Sequence, residues 1–317
     1  MKKKKVVVLG GGNGSAIALV ALKQNLQKFD ISAVISMSDS GGSSGRLRKE
    51  LGVLPPGDIM RAVLALSVYD YPILKKIFYR NRFSVSGKLN KHNLGNLFLS
   101  LSSQYGGSFL KAIRALEESV EAVGTVYPAT LKTNDLVAEL INGKVIKTEA
   151  KIDRPDYDRD LRIKKVYLEP KVKANPEAIQ EILSADYVVL SPGSLYTSLV
   201  AVLLPVGIKE AIDKSKAKIL FIAGNAYNID GETGPTKLSE VVTELENYLP
   251  HPVDFILYNN HKLNKKEKEY YKKKNWEVIV DDSNKLPNSK IVSFDFSRVD
   301  GGLCALSLGK KLKELLI

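Results

Sequence analysis

The chain has 317 residues, 44% of them hydrophobic, with a formal net charge of +12. That apolar content supports one full α/β core, and no uninterrupted apolar stretch approaches the ~20 residues of a membrane helix. The single cysteine, Cys304, excludes an internal disulfide and a Cys-rich zinc site. The positive excess lies mostly in Lys2–Lys5 and in a lysine-rich segment at 262–274. Such runs are ordinarily solvated faces, and no zinc-finger, basic-zipper or RNP motif accompanies them, so nucleic acid is not the expected partner. The 262–274 face, with Tyr270 and Tyr271 on it, also suits an acidic partner or an anionic surface.

Val6-Val7-Val8-Leu9 is a β-branched apolar run of the kind a buried parallel strand requires. Gly10-Gly11-Gly12-Asn13-Gly14-Ser15 follows, and a helix is expected over 15–27. Strand, glycine turn and helix make a nucleotide-binding opening, with a phosphate on the helix N-terminus. The match to G-x-G-x-x-G is partial, because Gly10 and Gly12 fit but Ser15 replaces the third glycine. There is no G-K-[ST] ending, so the turn is not a P-loop. A tight strand-to-helix turn without ligand would use the same glycines.

A second strand is expected at 31–37, and Ser38 to Asp58 follows it. Gly41, Gly42, Ser43 and Ser44 form a Gly/Ser loop whose amides can converge on one anion. Arg46 and Arg48 can add charge-assisted bonds to phosphate, with Arg46 the stronger candidate. Asp39 suits a ribose hydroxyl or a divalent cation. Asp58 suits either the N-cap of a helix at 59–67 or a carboxylate facing a cation or substrate. His92-Asn93-Leu94-Gly95-Asn96 opens an apolar helix, with Asn93 as its candidate cap.

Further helices are expected at 108–119 and 134–141. The segment 121–170 interrupts the α/β alternation. Short extended runs there flank Asn142-Gly143, a hairpin signal, and the charged stretch 151–165 reads as an exposed loop. Alternation resumes with a helix at 176–184 and a strand at 186–190. Ser191 to Ser198 then opens another helix, and Gly193, Ser194, Tyr196 and Thr197 are phosphate or N-capping candidates. Asn225 follows a strand at 218–223 and suits uracil, ribose or the loop itself. Strands at 253–258, 277–280 and 291–294 and helices at 236–248, 264–274 and 309–316 complete the pattern. The fold class is therefore α/β: a Rossmann-like, doubly wound, mostly parallel sheet with helices on both faces, forming one domain over 1–317 with a hairpin insertion at about 121–170. His92, His251 and His261 share no metal spacing, and no G-x-S-x-G elbow supports a Ser-His-Asp triad.

The chain resembles the YvcK/CofD-like family. The matching strings are VVVLGGGNG at 6–14, SDSGGSSGRLRKELGVLPPGDI at 38–59, HNLGNL at 92–97, YPATL at 127–131, DYVVLSPGSLYTSLVAVLLPVGI at 186–208 and GNAYNIDGET at 224–233. Their order is similar to that of the YvcK branch. The resemblance implies a bacterial, cytoplasmic protein that binds UDP-sugars such as UDP-N-acetylglucosamine and requires no cofactor. It also implies a role linking carbon metabolism to cell-wall synthesis and cell shape, with protein partners there, and is compatible with a homodimer. The CofD branch instead transfers a phospholactyl group to a deazaflavin with a divalent metal. In that alternative Asp39 and Asp58 would be both catalytic and Mg²⁺-binding residues.

The ligand residues implied are Gly11, Gly12, Asn13 and Gly14 on the first turn, and Asp39, Gly41–Ser44 and Arg46 on the second. Asn93, Asn96, the Gly193–Thr197 segment and Asn225 join them, with Tyr271 and Arg298 as family-matched positions that either reach the nucleotide or its sugar or are only a surface tyrosine and an Arg298–Asp300 surface pair. Three departures stand out. Ser40 occupies the place of a usual second acid, Asn13 that of a threonine, and Tyr227-Asn228-Ile229 that of Met-Thr-Gln. The reading favoured is a metal-independent binding protein; an NAD oxidoreductase is set aside on the fingerprint mismatch.

Overall fold

The computed structural model describes residues 2–84, 87–286, 290–298 and 302–317. The strands are β1 (Lys4–Gly10), β2 (Phe29–Ile35), β3 (Thr125–Pro128), β4 (Asp135–Leu140), β5 (Val145–Lys147), β6 (Ile163–Glu169), β7 (Tyr187–Leu190), β8 (Lys218–Ala223), β9 (Ala226–Asn228), β10 (Phe255–Asn259), β11 (Trp276–Val278) and β12 (Lys290–Phe294). Seven of them form the main sheet, in the order β12-β10-β8-β7-β1-β2-β3. Every neighbouring pair in it is parallel. The chain winds outward from β1 through β2 to β3, then returns to β7 on the other side of β1 and winds outward again. The switch in strand order therefore lies between β1 and β7, where a doubly wound sheet opens its ligand crevice.

The apolar runs Val6–Leu9 of β1, Ala33–Ile35 of β2 and Ile219–Ala223 of β8 follow from burial on both faces. In β1, Val6 and Val8 belong to one core layer and Val7 and Leu9 to the other. The first layer is covered by α1 (Gly12–Lys23), by α3 (Gly57–Leu66) beyond the short α2 (Gly42–Leu51), and by the C-terminal helix Ala305–Leu316. After α4 (Tyr71–Lys75), α5 (Leu94–Tyr105) and α6 (Phe109–Ser119) complete that layer. Helices Pro176–Leu183, Ile208–Lys214 and Leu238–Glu246 cover the second layer.

The insertion is a three-stranded antiparallel sheet, β5-β4-β6. Its hairpin turns at Asn142-Gly143, with Gly143 at φ 83° and Asn142 Oδ1 accepting from Lys144 N–H at 3.0 Å. Several expectations are corrected here. The 134–141 segment is strand β4, not a helix: Leu136, Ala138 and Leu140 are buried while Glu139 points outward to Lys164 and Lys165. Val137 is buried as well, and pairing with β5 and β6 on its two edges outweighs the helical propensity of Leu, Ala and Glu. The stretch 151–165 is no exposed loop throughout, because Ile152 and Tyr157 are buried in the core it caps. The extended run near 125 belongs to β3, the edge of the main sheet. Residues 276–278 pair only with β9, outside the main sheet. Of the expected Gly41–Ser44 loop, Gly42 to Ser44 are already the first turn of α2. Among the described residues, no helix is long and apolar enough to cross a membrane.

Candidate functional site

A crevice of about 530 Å³ lies beyond the C-terminal ends of β1 and β7. The β1 turn and the 191–198 turn meet there at van der Waals limits. A Cβ on Gly14 would lie 1.6 Å from the Pro192 carbonyl oxygen, so only glycine lets the two turns touch. Gly12, at φ +63°, is in the left-handed region that glycine enters cheaply. Gly11 to Gly14 line the crevice together with Gly193, Ser194 and Thr197.

The second turn divides between two compartments. Asp39 faces the crevice, but Gly41–Ser44 line a neighbouring compartment of about 390 Å³. Asp39, Arg61, Glu149 and Asp153 line both and form the wall between them. Asp58 is not a helix cap. It sits in the first turn of α3, accepts from Gly12 N–H at 2.8 Å and pairs with Arg61 at 3.3 Å. Arg61 in turn lies 4.6 Å above the Tyr79 ring. Burial works against the Arg61 charge, but Asp58, Tyr79 and Asp39 outweigh it and the net shift of its pKa is upward.

Arg61 and Glu149 escaped the sequence reading. Arg61 had one local signal, its i,i+3 spacing from Asp58 on a helix. Glu149 had none, because it comes from α7 (Glu149–Asp153) in the insertion, far along the chain. Ser40 N–H donates to Glu149 Oε2 at 3.2 Å, and Ser40 Oγ accepts from Ala150 N–H at 2.9 Å. Ser40 thus clasps α7 to the second turn and places Glu149 beside Asp39. Burial first, then Asp39, pushes the Glu149 pKa up to about 8. Burial first, then Asp58, raises that of Asp39, and burial raises that of Asp153. Among the described residues, no group of three or more His, Cys, Asp or Glu is arranged to hold a metal ion.

The arginines of the second turn behave differently from expectation. Arg46 donates to the Asn90 carbonyl and lines neither compartment. Arg48 donates to the carbonyls of Ser38, Asp39 and Asn134 and pairs with Asp135 at 3.2 Å. It fastens the turn to β4. Asn93 is the cap of α5, as expected, accepting from Asn96 N–H at 2.8 Å. Asn96 donates to Ser43 Oγ at 3.0 Å, and Ser43 contacts His92 Nδ1 at 2.8 Å.

The amides of the 194–197 turn are already partly engaged. Glu232 Oε2 accepts from Tyr196 N–H at 3.2 Å and from Thr197 N–H at 3.0 Å, while Ser194 makes no side-chain cap. Burial outweighs these amides and pushes the Glu232 pKa up to about 7. Tyr196 is buried, and its hydroxyl donates to Glu244 at 3.1 Å. It supports the turn and does not line the crevice. Asn225 does line it, and donates to the Tyr271 hydroxyl at 2.8 Å. Tyr271 is not a surface tyrosine. It is 3% exposed and packs edge-on against Trp276, which lines the crevice. Tyr271 therefore reaches the site through Asn225 and Trp276. Arg298 stands at the rim: its N–H donates to the Gly302 carbonyl at 2.9 Å, and Gly302 and Leu303 line the crevice. Asp300, its expected surface partner, lies outside the described residues.

The chain matches a family model described as 2-phospho-L-lactate transferase CofD over residues 6–296. It is 36% identical to the "Gluconeogenesis factor" of Halalkalibacterium halodurans over 288 residues, covering 90% of this chain and 87% of the relative. It is 36% identical to the "Gluconeogenesis factor" of Bacillus subtilis over 272 residues, covering 85% and 83%. The crystal structure of protein BH3568 from Bacillus halodurans superposes with a TM-score of 0.88 at 33% identity, covering 99% of each chain.

Proposed function

This chain belongs to the CofD family, and from that premise we propose that it is a nucleotide-sugar-binding regulator whose ligand, a UDP-sugar of the UDP-N-acetylglucosamine type, occupies the switch-point crevice. The observation that carries the reading is the meeting of two post-strand glycine turns, Gly11–Gly14 and Gly193–Thr197, at the ends of β1 and β7. The turn amides not taken by Asp58 and Glu232 suit a pyrophosphate, and Arg61, whose Nη1 would lie 3.8 Å from a Cβ on Gly12, stands beside the first turn to balance its charge. Trp276 and Asn225 offer an aromatic edge and an amide for a base. Asp58 is committed to Gly12 N–H and Arg61, which favours holding a ligand over gathering a cation. The relatives' names support a place in carbon metabolism; the link to cell-wall synthesis and cell shape, through protein partners, extends that reading.

The alternative is a CofD-type transferase, favoured by the family model's description and by the two carboxyls Asp39 and Asp58 facing the same crevice, close enough for Asp58 to help raise the Asp39 pKa after burial. It would use Mg²⁺ to neutralise charge developing on the transferred group. Calorimetric titration with UDP-N-acetylglucosamine, with and without Mg²⁺, separates the two. Regulation predicts similar affinity in both conditions and an intact ligand after hours. A strictly Mg²⁺-dependent affinity, or turnover abolished by Asp39→Asn, would overturn it.

A further inference from the structure

The N-terminus of α2 opens on the compartment beside the crevice, not on the crevice itself. Its N-cap, Gly41, supplies no side-chain acceptor. The first-turn amides of Gly42, Ser43 and Ser44 therefore lack the intrahelical partners that later amides have, and they stand at the positive end of a 10-residue helix. A second observation is independent of the helix. Asn96 is 2% exposed and lines the compartment. Its Nδ2 is spent on Ser43, and its Oδ1 has no hydrogen-bond partner among the described residues.

That oxygen points at a polar convergence. A Cβ on Gly57 would lie 2.7 Å from Ser44 Oγ, 3.4 Å from Asp39 Oδ2 and 3.8 Å from Asn96 Oδ1. Gly57 lines the same compartment, and because it has no side chain these three atoms gather closely behind its backbone, with Asn96 Oδ1 buried and unpartnered there. Arg61, Arg82 and Arg154 line it as well. The donors suit an oxyanion. The acceptors, Asn96 Oδ1 and Asp39 Oδ2, suit hydroxyl groups.

We propose that this compartment is a second ligand site that takes a phosphate monoester carrying free hydroxyls, the chemistry of a sugar phosphate or polyol phosphate. It is separate from the nucleotide-sugar crevice because the shared wall holds Asp39, Glu149 and Asp153. A single pyrophosphate spanning both compartments would have to cross three carboxyl groups. The protein thus reads two ligands, one on each side of the wall.

The test is calorimetry with glycerol 3-phosphate, inorganic phosphate and glycerol, each with and without saturating UDP-N-acetylglucosamine. Glycerol 3-phosphate is expected to bind more tightly than inorganic phosphate, and glycerol to give no heat. Saturating UDP-N-acetylglucosamine is expected to weaken glycerol 3-phosphate by less than about tenfold, because Arg61 is the one donor lining both compartments among the described residues. Asn96→Asp, nearly isosteric, sets a carboxylate beneath the anion and should weaken glycerol 3-phosphate at least tenfold, roughly the loss of a charge-assisted bond. Arg154→Ala, at an exposed position that spares the fold, should weaken it about threefold or more. No heat from either phosphate at millimolar concentration would overturn the proposal, as would unchanged affinity in both variants. Full competition by UDP-N-acetylglucosamine would also overturn it, assigning these donors to the nucleotide's own site. Loss of UDP-N-acetylglucosamine binding alone, with glycerol 3-phosphate retained, would sink the crevice reading and support the second site.

Discussion

Two residues decide most of the chemistry in the crevice, and one of them has no sequence signal. Arg61 faces the ligand space, whereas Arg46 turns to the Asn90 carbonyl. Arg61→Ala should therefore weaken UDP-sugar binding by about 1.5–3 kcal/mol, the range of a bond to a charged group, and Arg46→Ala by less. Equal calorimetric losses would contradict that ranking. Glu149 makes the stability of the fold depend on pH. Burial and Asp39 raise its folded pKa to about 8, against an ordinary value of 4.5. Between those values the folded state holds a proton that the unfolded chain has released. Stability on this account falls as pH rises from about 5 to about 8 and is level above. Glu149→Gln keeps an acceptor for Ser40 N–H and removes the titration. Its thermal midpoint should vary less with pH than that of the parent protein, with the relative gain greatest near pH 8.

At the scale of elements, the two glycine turns and the α2 anchor are the vulnerable joints. Gly14→Ala places a methyl group 1.6 Å from the Pro192 carbonyl, a backbone atom that cannot step aside cheaply. A loss of about 2–3 kcal/mol in denaturant unfolding is expected, as for overpacking. Gly12→Ala meets nothing nearer than Arg61 Nη1 at 3.8 Å and strains only its φ of +63°. It should cost about 1 kcal/mol, so the order of the two variants tests the docking of the turns. Arg48 ties three carbonyls to β4. Arg48→Ala should lower stability by about 1–3 kcal/mol through those unpaired groups, with UDP-sugar affinity changed far less than by Arg61→Ala. A binding loss in Arg48→Ala as large as that in Arg61→Ala would show that Arg48 reaches the ligand.

For the molecule as a whole, the insertion sheet is part of the site, because α7 brings Glu149 and Asp153 to the wall between the compartments. The sequence by itself determined the doubly wound α/β plan. Apolar β-branched runs such as Val6–Leu9 and Val188–Leu190 allow few other fates, and the glycine turns after them mark the crevice locally. It also placed Asn93 as a cap, because capping needs only neighbours in the chain. It misread 134–141, where Leu, Ala and Glu favour a helix and only pairing with β6 makes a strand. It credited Arg46 with a ligand and left Tyr271 between ligand contact and bare surface. Where a long side chain turns depends on partners such as Asn90 and Trp276, which lie elsewhere in the sequence. The tertiary structure alone set Glu149 beside Asp39, engaged the 196–197 amides with Glu232, and divided one predicted cradle into two compartments. Each of these joins residues far apart in sequence, and such contacts are fixed by packing and burial, which local pattern does not encode.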